Sequence, residues 1–143
     1  MRGRPTVRAS LGLAGIAIAV GLISAGCFSP APPGPAMLTV SPSPANFPNS
    51  SQALGFPMPN VQVTVTNTGG HTVNSISIPG VGVYSVPQDL CSSLAPGQSC
   101  TAMIQFCPSS QGAYNNMLVI TGHDATSGAL VTGSSMLMGT AVP

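Results

Sequence analysis

Over much of this chain, apolar side chains recur at every second position. Val61, Val63 and Val65 alternate with Gln62, Thr64 and Thr66, which gives an extended segment one apolar and one polar side. Asn67-Thr68-Gly69-Gly70 then closes it with turn formers. The same alternation places Cys100, Ala102, Ile104 and Phe106 on one side and Thr101, Met103, Gln105 and Cys107 on the other, after a Pro96-Gly97 turn. Further strands are predicted at Ile76 and Ile78, at Val81 to Val86, at Met117 to Thr121 and at Leu130 to Ala141, with 108–116 read as a turn region. The first strand falls after Met37, where the prolines of LTVSPSPANFP suit an edge or a bulge. Seven short strands with frequent turns, and no helical period after Cys27, predict an all-β, seven-stranded antiparallel sandwich.

The first 26 residues follow a different pattern. Arg2, Arg4 and Arg8 precede an apolar run from Leu11 to Ile23, which ends in Ser24-Ala25-Gly26-Cys27. This is the layout of a secretory signal peptide helix, with charged, apolar and small-residue regions in order. The run is shorter than a spanning helix normally needs and is interrupted by Gly12, Gly15 and Gly21. Retention as an uncleaved membrane anchor is the alternative. Small residues before a cysteine resemble the lipobox of bacterial lipoproteins, with Ser24 where leucine is usual. That resemblance implies diacylglycerol on the Cys27 sulfur, cleavage before Cys27, and acylation of the new amino group. Several acyl chains give stable anchoring where one gives marginal binding. The organisation expected is therefore a lipoprotein signal over 1–26, a lipidated cysteine with a proline-rich spacer over 27–36, and one domain over 37–143.

Charge changes the picture once the signal is removed. Charged residues make up only 3% of the chain, and the three arginines are its only basic side chains. The formal charge falls from +1 to −2 on cleavage, leaving Asp89 and Asp124 as the acidic groups. Nucleic acid and anionic lipid headgroups both require cationic side chains for recognition, so neither is an expected partner of the mature domain.

The succession NFP, VTVTNTG, CSSLAPGQSC, IQFCPSSQGAYNNMLVITG and LMGTA resembles the bacterial branch of the ASH (Abnormal-spindle and Hydin) domain family, of choice-of-anchor D type. The similarity covers about residues 37–142. Its most specific parts are Asn67-Thr68-Gly69, the Leu94-Ala95-Pro96-Gly97 turn between two cysteines, Phe106-x-Pro108 and Leu137-x-Gly139-Thr140. The resemblance implies an immunoglobulin-like sandwich related to major sperm protein and pilus chaperones. It also implies an interaction or structural module rather than an enzyme. Cys107 stands where the family commonly has threonine or another polar residue.

Candidate chemistry is sparse. Cys91 and Cys100 close a short loop in a chain bound for an oxidising compartment, which points to a disulfide. Cys107 is left over, either as a half-buried free thiol or as half of an intermolecular disulfide. Copper could draw on methionine, His71, His123 and Cys107, and a small envelope copper-binding protein is the alternative function. No CxxC or HxxxH spacing supports it, and no metal or other cofactor is expected. The chain has no Glu, its two Asp read as isolated turn residues, and the histidines read as solvated loop residues. His123 and Asp124 are adjacent, so an extended strand points them apart, and no catalytic residue is assigned.

If Leu118, Ile120, Ser135 and Leu137 face inward, as the family pattern implies, then Met117, Val119, Met136 and Met138 face outward as an adaptable contact patch. The opposite register would bury them. The overall expectation is an exported, lipid-anchored lipoprotein of a bacterial cell envelope, on the outer membrane or the outer leaflet of the plasma membrane. Its partner would be another envelope protein or a second copy.

Overall fold

The computed structural model describes residues 34–51 and 58–143. Cys27, the signal and most of the proline-rich spacer lie outside the described residues. Among the described residues ten strands are present: β1 (Leu38–Ser41), β2 (Ala45–Asn46), β3 (Ser50–Ser51), β4 (Asn60–Asn67), β5 (Val73–Ser77), β6 (Tyr84–Asp89), β7 (Ser93–Leu94), β8 (Ser99–Phe106), β9 (Gly112–Asp124) and β10 (Leu130–Val142). One sheet runs in the order β1-β4-β8-β6. The other runs β2-β10-β9-β5-β7, with β3 also paired to β10.

Alternation builds the facing surfaces. Val61, Val63 and Val65 on β4 pair with Ile104, Ala102 and Cys100 on β8, so each cross-strand pair presents apolar groups to the same side. Val63, Val65, Ala102, Ile104 and Phe106 are buried there. The opposing sheet supplies Leu118, Ile120 and Leu137. At one end of the core, Phe47, Tyr84, Phe106 and Tyr114 form an aromatic cluster, with the Phe106 centroid 5.9, 5.1 and 5.7 Å from those of Phe47, Tyr84 and Tyr114 respectively. The Tyr84 hydroxyl donates to the Tyr114 carbonyl at 2.8 Å, which satisfies the one polar atom on that buried ring. Gly139 leaves room for this cluster, since a Cβ there would sit 2.8 Å from Phe106 Cζ.

Three features differ from the sequence expectation. Seven strands have four residues or more, as counted from the sequence, but three two-residue strands are added. The sandwich is not wholly antiparallel, because β2 and β3 both pair parallel with β10. The prolines after β1 break its pairing with β4, and the chain crosses to the other sheet, where Ala45 lies beside Leu137. Finally, 112–116 is strand and not turn: β9 starts at Gly112, with Tyr114 opposite Gly139. Gly112, Asn115 and Asn116 read as turn formers locally, but pairing with β10 outweighs that propensity.

Candidate interaction surface

The strand pair β9–β10 positions the side chains of most interest. Its register is unbroken from His123↔Leu130 to Gly112↔Ala141. Met117 lies opposite Met136, Val119 opposite Ser134, and Asn115 opposite Met138. Because side chains alternate across the pleat, burying Leu118, Ile120, Ser135 and Leu137 turns their neighbours outward. Met117, Val119, Met136 and Met138 are 55%, 40%, 38% and 39% exposed. They form one contiguous apolar patch on the outer face of the sheet, in which the three methionines have unbranched, polarisable side chains that adapt to a contacting surface.

Disulfide and turn hold the other side of the domain. Cys91 and Cys100 are bonded, with Cα atoms 5.3 Å apart, a bond characteristic of oxidising compartments outside the cytosol. Closing this loop stabilises the fold by about 2 to 3 kcal/mol in the chain-entropy description. Cys107 forms no disulfide with the described residues. Its sulfur lies 3.6 Å from Ser85 Oγ and 3.5 Å from Gln105 Oε1, and the thiol is half-buried.

Asn67 explains the Asn-Thr-Gly motif physically. Its buried side chain donates to the carbonyls of His71 and Leu94 at 2.8 and 2.9 Å and accepts from the Gly69 N–H at 3.0 Å. One amide thus ties the turn after β4 to β7. A Cβ at Gly69 would run into the backbone of Pro35 to Met37, so glycine is required where the N-terminal segment crosses.

The structure corrects the view of Asp124 and His71 as separate turn residues. Asp124 is 3% exposed, and its carboxylate accepts from the Ala36 N–H at 3.1 Å, from Thr126 and Ser127 N–H at 2.8 and 3.1 Å, and pairs with His71 Nδ1 at 2.9 Å. Burial opposes ionisation, but the hydrogen bonds from Ala36, His71, Ser127 and Thr126 outweigh it and hold the carboxyl well below the usual carboxylate range. His123 points to the opposite, exposed side of β9. No sequence signal joins residues 53 positions apart; only the pairing of β5 with β9 brings them together. This cluster fastens three chain segments, and among the described residues no hydroxyl or thiol is hydrogen-bonded to His71 that could serve as a nucleophile. Among the described residues, no group of three or more His, Cys, Asp and Glu side chains converges as a metal site would. No helix among them is long and apolar enough to cross a membrane.

Comparison with known proteins places this geometry. The ASH / PapD-like domain 7 of human CEP192 superposes with a TM-score of 0.57 at 13% identity, over 96% of this chain and 98% of that one. The fold is an immunoglobulin-like sandwich, similar to that ASH / PapD-like domain. A protein of unknown function from Porphyromonas gingivalis W83 shares this fold with a TM-score of 0.62 at 20% identity, over 76% of this chain. The present chain spans 48% of that protein's length. WR4, an MSP family member of C. elegans, matches with a TM-score of 0.51 at 14% identity, over 74% of this chain and 98% of that one. No family model matches the sequence, and no curated protein does. The likeness thus rests on architecture alone.

Proposed function

We propose that this chain is a lipid-anchored module of a bacterial cell envelope that makes a structural or binding contact and performs no catalysis. The observation that carries this reading is the patch of Met117, Val119, Met136 and Met138, exposed on the outer face of a stapled and almost uncharged sandwich. Patches of this kind mark contact sites. The lipobox-like Ser24-Ala25-Gly26-Cys27 supports anchoring through Cys27, and the disulfide supports export. The partner is another envelope protein or a second copy, engaged by apolar contact rather than by charge.

Two measurements test the reading. Intact mass of the membrane-extracted protein should show cleavage before Cys27 with acyl chains attached, and an unacylated chain would remove the anchor. A photo-crosslinking residue placed at Met117 or Met138 in the envelope should capture polypeptide. The same residue at Gln62, exposed on the other sheet, should not. Equal capture from both faces would refute a dedicated patch.

A further inference from the structure

The edge of β10 is a second surface, bordering the methionine patch. β2 covers this edge only at Leu137 and Met138, and β3 only at Ala141 and Val142. From Leu130 to Met136 the strand pairs with β9 on one side and, among the described residues, with no strand on the other. Two hydrogen bonds fix the direction of its peptide groups. Asp124 N–H donates to the Ala129 carbonyl, and Phe47 N–H donates to the Met138 carbonyl. The register between these points is continuous, so odd-numbered residues address β9 and even-numbered residues address the edge. The N–H and C=O groups of Thr132 and Ser134 therefore point outward from the sheet.

A groove of about 500 Å³ runs beside this edge, with Leu38 to Val40 of β1 on one side and Met117, Val119, Thr132, Gly133 and Ser134 on the other. No ionisable side chain lines it. Gly133 is buried against β1, where a Cβ would sit 3.1 Å from both the Leu38 carbonyl and Val40 Cγ2. Edge strands of proteins that remain monomeric are commonly blunted by lysine, proline or an inward charge. β10 contains none of these, and no Lys or Arg follows Arg8 anywhere in the chain.

We propose that this edge pairs with the same edge of a second copy, antiparallel and centred on Gly133. The contact is isologous, so one strand supplies both halves. Thr132 then faces the partner's Ser134 and Ser134 the partner's Thr132, each pair exchanging both backbone hydrogen bonds, while Gly133 meets the partner's Gly133 at the closer, non-hydrogen-bonded position. A second copy is the occupant that fits because its own edge is an extended, uncharged run of small residues matching the uncharged groove. Confinement of copies on one membrane, which rests on the proposed function, raises their effective concentration.

The test uses the full-length chain with Cys107→Ser, co-expressed in the envelope as differently tagged Thr132→Cys and Ser134→Cys forms and mildly oxidised. The mixed disulfide should exceed either homodimer several-fold, because the opposed pair has its Cα atoms about 5.5 Å apart and the diagonal pairs do not. Thr132→Pro should weaken dimerisation of the detergent-extracted protein in analytical ultracentrifugation by about tenfold or more through lost backbone bonds. Its melting temperature should hold, since that N–H has no strand partner in the single chain. Monomer at all concentrations without a mixed disulfide overturns the pairing. So does equal cross-linking of mixed and like forms, or capture of the cysteine at position 132 by a different envelope polypeptide. Loss of the mixed disulfide while photo-crosslinks from Met117 persist would remove the edge pairing and leave the methionine-patch reading standing.

Discussion

Replacing Asn67 with alanine removes an amide that makes three hydrogen bonds from a fully buried position. The Leu94 carbonyl loses this partner in a buried setting, while His71 O and the Gly69 N–H sit in partly buried surroundings that water can reach. A buried group left unsatisfied costs about 1 to 3 kcal/mol. The whole substitution should therefore cost about 2 to 4 kcal/mol. For a domain of this size that lowers the melting temperature by about 10 to 25 °C. Asn67→Asp should cost at least as much, because it keeps the acceptor for Gly69 but turns an anionic oxygen toward two carbonyls. Urea unfolding with the disulfide intact, followed by fluorescence of the two tyrosines, measures both. A cost below about 0.5 kcal/mol for Asn67→Ala, the level of an ordinary surface change, would show that the amide does not hold the β4 turn to β7.

Other perturbations probe separate parts of the domain. Reduction of Cys91–Cys100, or its replacement by two serines, should lower the unfolding free energy by about 2 to 3 kcal/mol, read as an earlier urea midpoint. Asp124 has a depressed carboxyl pKa in the folded state, so its contribution is complete above the ordinary carboxylate value of about 4 and is lost progressively as pH falls below it. Acid titration of stability should accordingly be flatter below about pH 4 in Asp124→Asn than in the parent. Gly139→Ala should cost about 1 to 3 kcal/mol by forcing the Phe106 ring from its place, measurable as a lowered melting temperature. Met136→Thr with Met138→Thr should change stability by no more than about 1 kcal/mol, as befits exposed positions, while reducing cross-linking from Met117.

The period-two pattern made β4 and β8 legible, because one buried face dictates the direction of every alternate side chain, but for β9 and β10 it left open which register is buried. The same rule failed where a strand is too short to show a period: β2, β3 and β7 have two residues each and exist only because a neighbour supplies their pairing. The start of β9 was hidden for a related reason, since Gly112, Asn115 and Asn116 carry local turn preferences that long-range pairing overrides. The His71–Asp124 pair and the peptide direction along β10 depend on contacts between distant segments, which no local pattern encodes.

The fastening of Ala36 to Asp124 has a mechanical meaning. Asp124 lies at the hairpin end of β9–β10, and Val142 ends the thirteen-residue β10, about 40 Å away at the usual strand rise. The chain thus enters at one end of the sandwich and leaves at the other. Tension applied between those points would run lengthwise along β10 and load its parallel seams with β2 and β3 in shear, so that their bonds share the force and give way together instead of opening one by one.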